Sequence, residues 1–168
     1  MARIDRSKRA LGGAIKRDKP SRAAAKIVNA RLAKGRVLDY GCGFGFDADH
    51  HGWESYDPYY KPAPPQGLFD TIVCTLVINA LSRNNRSKVI AQVGQLLTEN
   101  GKAYFAVARD LPRNGKLGIN HSLQNYVVLT LPSVFVDDAL EIYQMVKDAA
   151  FKDKTKDYRS PRDKRSDS

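Results

Sequence analysis

The sequence predicts an α/β protein with an open, mostly parallel sheet and an antiparallel edge. Short apolar segments alternate with segments of helical periodicity between residues 36 and 107. The segment 69–77 is almost continuously apolar, which is typical of a strand covered on both faces in a parallel sheet. Glycines at alternate positions follow the first predicted strand, as expected where a strand turns tightly into a helix.

A first helix is predicted from Ser21, which is a suitable N-cap, to about Lys34, where Gly35 ends it. Its apolar side chains fall on one stripe and its basic side chains face water or a partner. The stripe contains Ala23, Ile27 and Ala30, and the basic face contains Arg22, Lys26 and Arg31.

Strands and a second helix are predicted to follow in alternation. The predicted strands are 36–40, 53–56, 69–77 and 103–107, and the third should be central. The helix between the last two is capped by Asn84 or Asn85 and stopped by Asn100 and Gly101. Two further apolar segments, 125–130 and 140–146, flank a loop with Pro132 and suggest an antiparallel pair at the sheet edge. The second of them is equally compatible with a helix.

Charge is strongly segregated along the chain. Residues 1–36 carry twelve Lys and Arg against two Asp, residues 37–150 carry nine basic against twelve acidic side chains, and residues 151–168 carry seven against four. The three net charges are therefore +10, −3 and +3. We predict a basic, mobile arm over 1–19, one globular domain over 20–150 and a basic, disordered tail over 151–168. The basic helix and tails favour contact with DNA or RNA, although a merely solubilising role is the alternative.

Composition narrows the class of protein further. No apolar stretch approaches the ~20 residues of a membrane span, and no apolar signal core follows the basic start, so we expect a cytoplasmic protein without membrane contact. Cys42 and Cys74 lie in apolar segments and belong to no spaced Cys/His set, so neither a disulfide nor a metal site is expected. The sequence carries no signal for an oligomeric state.

The pattern Asp39-x-Gly41-x-Gly43-x-Gly45 ends the first predicted strand. The glycines let the backbone approach a ligand closely, and Asp39 can accept hydrogen bonds from ligand or loop donors. The helix that follows points its free N–H groups at the same place. The Gly-x-Gly-x-x-Gly pattern of dinucleotide folds and the Gly-Lys-Ser/Thr of phosphate loops are both absent. A tight strand-to-helix connection without a ligand is the alternative interpretation.

Asp57 stands at the carboxyl end of the second predicted strand. Nucleotide folds place a carboxylate there that accepts hydrogen bonds from the ribose hydroxyls. Because Asp-Pro also favours turns, Asp57 and Pro58 could serve the turn alone. Tyr59 or Tyr60 is placed either to stack on adenine or to cover the core.

Together these residues resemble motif I and the following acidic position of class I S-adenosylmethionine-dependent methyltransferases. The chain is most similar to small methyltransferases of phages and bacteria, including those associated with DNA phosphorothioation, over roughly residues 20–146. The matched stretches are 37–43, 53–60, 69–79, 96–101 and 108–110. The resemblance implies S-adenosylmethionine as cofactor, held by Asp39, Tyr40, Gly41, Cys42, Gly43, Asp57, Pro58, Tyr59, Cys74 and Thr75.

The chain is shorter than larger class I enzymes at one place. Only residues 61–68 separate the second predicted strand from the central one, which leaves no room for the usual helix and third strand. A truncated Rossmann-like class I methyltransferase sheet is therefore expected, with the adenine contacted from elsewhere. The stretch 57–60 is also similar to the Asp/Asn-Pro-Pro-Tyr/Phe motif of amino-methyltransferases, but it follows the second strand rather than the fourth.

Three polar residues follow predicted strands at the edge where ligands collect in open α/β sheets. Asn79 is a candidate for orienting the substrate, Arg109 for holding a substrate anion and Asp110 for acting as a base. A solvated turn is the alternative for the last two. The resulting hypothesis is a methyltransferase of unidentified acceptor, with nucleic acid favoured. The alternatives are a cofactor-binding module without turnover that serves an assembly, and a small-molecule or protein methyltransferase.

Overall fold

The computed structural model describes residues 16–163, which form a six-stranded sheet with helices on both faces. The helices are α1 (Arg22–Asn29), α2 (Phe46–His51) and α3 (Arg83–Gln95). The strands are β1 (Val37–Tyr40), β2 (Glu54–Tyr56), β3 (Phe69–Thr75), β4 (Leu97–Ala108), β5 (Lys116–Leu117), β6 (Leu123–Gln124), β7 (Ser133–Val136) and β8 (Leu140–Val146). Single turns of 3₁₀ helix lie at Ile78–Ala80 and Ile119–His121.

The sheet has the strand order β2-β1-β3-β4-β8-β7. The strands β2, β1, β3 and β4 are parallel, whereas β8 and β7 are antiparallel additions at one edge. Strands β5 and β6 form a separate hairpin after β4. At the other edge β2 is connected to β3 by residues 57–68, which contain no helix and no strand of the sheet, so the third strand usual in larger class I enzymes is absent as predicted. The predicted fold class, including its truncation and its antiparallel edge, is confirmed.

Different helices cover the two faces of the sheet. Ala23 and Ile27 of α1 are buried in one cluster with Val73, whereas Ile90 of α3 is buried in another with Ile72. Successive residues of β3 therefore face opposite helices, which explains why this strand is apolar almost without interruption. None of the helices within residues 16–163 is both long and apolar enough to cross a membrane.

Helix α1 ends at Asn29, five residues before the predicted end. Arg31 adopts a left-handed conformation with φ 57°, and the Leu32 amide donates to the carbonyl of Ile27 at 3.0 Å. The Arg31 amide donates in turn to Val28 at 2.9 Å, which completes a Schellman motif without glycine. Because the helix stops here, Ala30 is exposed and Ala24 takes its place in the buried stripe.

Helix α3 also differs from its predicted bounds. It begins after Ser82 rather than after Asn84 or Asn85, and it ends at Gln95 because the chain enters β4 at Leu97. Leu97 is fully buried and pairs with Phe69, so burial in the sheet outweighs helical periodicity at this position. Gly101 does not stop a helix. It lies within β4, where an added Cβ would come 2.9 Å from the Phe69 carbonyl oxygen.

The segment 125–130 is not a strand of the main sheet. Strand β8 pairs with β4 on one side and with β7 on the other. Of the two structures predicted for residues 140–146, the strand is the one that forms. Residues near 129 pair instead with the C-terminal segment, through a bridge between Leu129 and Asp153. Thr130 and Lys152 exchange two hydrogen bonds at 3.0 and 2.7 Å beside this bridge.

Residues 151–158, which we call the C-terminal strap, are therefore packed on the domain, and the prediction of a disordered tail from 151 is wrong for them. The reason is Arg86, which is fully buried in α3. Its guanidinium forms ion pairs with Asp153 at 2.7 Å and Asp157 at 2.8 Å. It also donates to the Leu81 carbonyl at 2.9 Å. Residues 1–15 of the predicted arm and 164–168 of the predicted tail lie outside the described residues.

Candidate active site

The site lies at the carboxyl ends of β1 and β3. The chain leaves β1 toward β2 on one side and leaves β3 toward β4 on the other, so the connections diverge between these two strands. Such a switch point is where open α/β sheets form a ligand crevice. The glycine turn 41–45 follows β1 at this edge, and residues 76–79 follow β3.

Glycine is required in the turn because its backbone adopts left-handed conformations. Gly41, Gly43 and Gly45 have φ angles of 80°, 59° and 86°. The amides of Gly41 and Cys42 donate to the Tyr56 carbonyl at 2.7 and 3.0 Å, which ties the turn to the end of β2. A Cβ at position 41 would also come 2.5 Å from Cγ2 of Val77.

We expect Gly41→Ala to destabilise the protein by about 1–3 kcal/mol, because alanine at this φ is strained and meets Val77. The free energy of unfolding in urea measures the effect. Gly52→Ala is a matched control, since Gly52 has φ 72° but nothing within 4 Å of the added Cβ. Equal losses in the two variants would show that the contact with Val77 is unimportant.

Asp57 closes the turn from the β2 side. One carboxylate oxygen accepts from the Gly43 amide at 2.9 Å, and the other accepts from the Tyr59 and Tyr60 amides at 2.9 and 3.1 Å. Asp57 thus performs the turn role that Asp-Pro sequences favour. An ionised carboxylate has about four acceptor positions, so these three bonds leave room for a ligand hydroxyl. Its assignment to the ribose stays a prediction.

Asp39 is the buried carboxyl group of the site, with 4% of its surface exposed. It forms no hydrogen bond with any described residue, in contrast to Asp57. Burial, together with the nearby carboxylates of Asp47 and Asp57, raises its pKa to about 7. A buried acid without a donor needs either a proton or a cationic partner.

Three further residues that were predicted to bind the cofactor, Tyr40, Cys42 and Cys74, have buried or half-buried side chains. Tyr40 packs on Tyr56 at 4.9 Å between ring centroids and donates its hydroxyl to Gln92, so its side chain belongs to the core. Burial raises the pKa of the Cys42 thiol to about 12. Cys74 is completely buried, and burial raises its pKa well above the usual range. Burial thus favours the protonated thiol at both cysteines, which is the less nucleophilic form.

The carboxyl end of β3 carries polar atoms without partners in the described chain. These are Oγ1 of Thr75 and Oδ1 of Asn79. The Asn79 amide nitrogen donates to Gln124 of β6 at 2.9 Å, which attaches the β5–β6 hairpin to this edge. Between them Leu76 has φ 55° and 41% exposure, a strained position for a leucine. Buried polar atoms and backbone strain at one strand end are features that ligand sites concentrate.

The structure does not bring Arg109 to the crevice as a free cation. Its guanidinium pairs with Glu141 at 2.6 Å and donates to the Tyr143 hydroxyl at 2.8 Å and the Val127 carbonyl at 2.7 Å. It also lies 4.3 Å from the centroid of Tyr126. These contacts join β4, β8 and the segment 125–130, so Arg109 supports the domain rather than holding a substrate anion.

Asp110 is exposed and borders a cavity of about 230 Å³ at the carboxyl ends of β3 and β4. The start of α1 and the turn before β8 close the other sides. The lining residues are Arg17, Ser21, Arg22, Ala23, Leu76, Ala108, Asp110, Ala139 and Leu140. Asp110 is therefore the one predicted catalytic residue that lines this cavity. The Ser21 amide donates to Asp47 at 2.7 Å, which joins the start of α1 at the cavity to helix α2, directly after the glycine turn.

Two residues of the site were not singled out by the sequence. Phe44 projects from the glycine turn with 48% exposure and lies 4.4 Å from the ring of Tyr60. Leu76 borders the cavity although it belongs to an apolar segment. An aromatic residue between two glycines was a usable signal for Phe44, whereas nothing in the sequence marks the conformation of Leu76. Pro58 is exposed and Tyr59 half-buried beside this pair.

Residues 11–154 match the family described as a methyltransferase domain. The chain belongs to this methyltransferase domain family. The match confirms the predicted enzyme class, a methyltransferase. No curated protein sequence is significantly similar to the chain. The match does not test the narrower prediction that the chain belongs with small phage and bacterial methyltransferases, which stays a prediction.

Solved structures of other methyltransferases are similar to this chain, and one of them has a TM-score above 0.5. The 1,6-didemethyltoxoflavin N1-methyltransferase of Burkholderia thailandensis has a TM-score of 0.53 at 16% identity, covering 75% of this chain and 77% of its own. It holds S-adenosylhomocysteine and 1,6-didemethyltoxoflavin. Magnesium protoporphyrin IX methyltransferase of Synechocystis PCC 6803, with bound S-adenosylmethionine, has a TM-score of 0.44 at 16% identity, covering 74% and 76%. The Burkholderia thailandensis structure thus shows that this chain has the fold of a methyltransferase.

Proposed function

We propose that this methyltransferase moves the methyl group of S-adenosylmethionine to a nucleophile on a nucleic acid. The observation that carries the cofactor assignment is Asp39, a buried carboxyl group without a partner beside a glycine turn. Asp47 and Asp57 lie close enough to influence it, so the site is acidic in a chain with a net charge of +10. A cationic ligand fits such a site, and the cofactor carries ammonium and sulfonium groups.

Different residues at this edge of the sheet would bind different parts of the cofactor. Asp39 would accept from the cationic methionine part, which the backbone at Gly41 and Gly43 lets approach closely. Asp57, already fixed by three amides, would accept from the ribose. Phe44 and Tyr60 supply an aromatic pair at the edge where the third strand is missing, and we assign the adenine to them.

Catalysis in this proposal is mainly positioning. When bound, S-adenosylmethionine supplies a methyl group that its sulfonium has already activated toward in-line displacement. The cavity bordered by Leu76 and Asp110 would hold the acceptor against the crevice, and alignment of this kind contributes strongly to rate. Asp110 can take up the proton that the acceptor releases, either directly or through water. The unpaired Oδ1 of Asn79 can accept a hydrogen bond from an acceptor amine or hydroxyl.

Nucleic acid is placed first among acceptors on two grounds. The motifs resemble those of small methyltransferases associated with DNA phosphorothioation, and the basic charge is concentrated at the ends of the chain. The basic face of α1 contributes less than its sequence suggests. Arg22 pairs with Asp137, and Lys26 lies 5.1 Å from the centroid of Phe135, so both are engaged within the domain.

The rival acceptors make distinct predictions. A cavity of about 230 Å³ also suits a small heterocycle, and the structurally similar Burkholderia thailandensis enzyme is named for such a compound. A cofactor-binding module without turnover would bind S-adenosylmethionine and label nothing. The cytoplasmic location stays a prediction.

The test is incubation of the pure protein with methyl-labelled S-adenosylmethionine and separate pools of DNA, RNA, protein and metabolites. We expect label in DNA or RNA, and we expect Asp39→Asn to reduce it together with cofactor binding. Label in the metabolite or protein pool alone would overturn the acceptor assignment. Cofactor binding without label in any pool would favour the module, and absence of binding would overturn the whole proposal.

A further inference from the structure

In the C-terminal strap, basic and acidic residues alternate along the chain and point to opposite sides. Lys152, Lys154 and Lys156 are exposed, whereas Asp153 and Asp157 are half-buried and Thr155 is buried. Side chains of an extended segment alternate between its two sides. The inward side therefore carries the acids, both of which pair with the buried Arg86, and the outward side carries three lysines.

This arrangement leaves the lysine row uncompensated. The carboxylates next to it in the chain, those of Asp153 and Asp157, pair with Arg86. Within residues 16–163 the three lysine ammonium groups form no ion pair. Alternate residues of an extended strand lie about 7 Å apart, so the row is linear and spans about 14 Å. Exposed Arg159 and Arg162 follow it along the chain.

The row is held rigidly by its backbone. The Lys154 amide donates to the Val128 carbonyl at 2.8 Å, and the guanidinium of Arg83 donates to the carbonyls of Asp153 and Thr155 at 2.9 and 2.8 Å. The Val128 amide donates to Oγ1 of Thr155 at 2.9 Å. Fixed backbone on both sides reduces the ordering cost that a flexible basic tail would carry on binding a polyanion.

The strap also leads to the candidate active site. The Tyr158 amide donates to Oδ1 of Asn125 at 2.8 Å, and the Asn125 amide donates to the Asn79 carbonyl at 2.7 Å. Asn125 is fully buried, so this connection is part of the core. A polymer lying on the lysine row would thus be directed toward the edge that carries Asn79 and the β5–β6 hairpin.

We propose that the exposed row of Lys152, Lys154 and Lys156 binds the phosphate backbone of a nucleic acid strand and guides it to the active site. The guiding role rests on the proposed function, whereas the binding role does not. A row of fixed cations matches a row of phosphates. An anionic membrane is the less suitable partner, because the exposed side chains of the strap are all lysines and none is apolar enough to insert.

The experiment measures binding of fluorescein-labelled single-stranded and duplex DNA of about 20 nucleotides by anisotropy, between about 50 and 200 mM salt. We expect the triple variant K152Q/K154Q/K156Q to lower the slope of log affinity against log salt by about 2–3, at about 0.7–0.9 per phosphate contact. The matched control K34Q/K88Q/K102Q removes three exposed cations that lie outside the strap and outside the basic face of α1, with the same change in net charge. We expect it to change the slope by less than about 1.

Three outcomes would overturn the inference. Equal losses in both triple variants would mean that net charge alone is responsible, and absence of binding by the wild type would mean that no such site exists. Preferential, lysine-dependent binding to phosphatidylserine vesicles would assign the row to a membrane. Unchanged thermal unfolding and calorimetric binding of S-adenosylmethionine in both variants separate this result from a failure of the methyltransferase proposal.

Discussion

Replacing Asp39 by asparagine is expected to raise the stability of the unliganded protein relative to wild type as the pH rises. In the unfolded chain this aspartate loses its proton near pH 3.8, whereas in the folded protein its pKa is about 7 because the group is buried. Between these values the folded state holds a proton that the unfolded state has released, so wild-type stability falls as the pH rises through this interval. The full shift corresponds to about 4 kcal/mol.

The difference in unfolding free energy between Asp39→Asn and wild type should therefore grow by about 4 kcal/mol from pH 4 to pH 8 and stay constant above that. Urea unfolding at a series of pH values measures it. Asp49→Asn is the control, because Asp49 is exposed on the neighbouring helix α2. A difference that does not vary with pH would show that Asp39 is ionised in the folded state and that its burial has been misjudged.

Removal of the Arg86 side chain is the second large effect. Arg86→Ala would leave Asp153 and Asp157 without their cation, and breaking a buried ion pair on one side costs about 3–5 kcal/mol. Burial by itself raises the pKa of Asp153, but hydrogen bonds from Arg86 and Thr155 bring it below the ordinary value. The same bonds anchor the strap, so its amides should lose protection from hydrogen exchange.

Urea unfolding and hydrogen exchange together test the prediction for Arg86. Arg83→Ala is the matched control, since the exposed side chain of Arg83 donates only to strap carbonyls, and we expect a loss below about 1.5 kcal/mol. A loss of similar size in both variants would contradict the role given to the buried guanidinium. Stability lost without any change in strap protection would contradict its role as the anchor.

Local signals in the sequence predict the fold and the glycine turn well. The run 69–77 identifies the central strand because burial on both faces demands apolar residues throughout. Alternate glycines from Gly41 identify the turn because left-handed conformations exclude most other residues. Asp39 and Asp57 are found because they occupy strand ends, and strand ends can be located from hydrophobicity.

Other features depend on partners far apart in the chain. Arg109 looks like a free active-site cation until Glu141 and Tyr143 meet it across the antiparallel edge. The strap looks disordered because its lysines dominate its composition, and only the buried Arg86 reveals that its aspartates point inward. The early end of α1 could not be predicted either, because nothing in the sequence indicates that Arg31 adopts a left-handed conformation.

The most direct test of the account is calorimetric titration of S-adenosylmethionine into wild type and Asp39→Asn at pH 6 and pH 8. Because ionised Asp39 favours a cationic ligand, we expect wild-type affinity to rise with pH through about 7. We expect Asp39→Asn to bind roughly 10–100-fold more weakly at pH 8 and to lose the part of the pH dependence that the ligand's own amine does not cause. Equal affinity and equal pH dependence in the two proteins, or no binding by either, would contradict the assignment of the cofactor to this crevice.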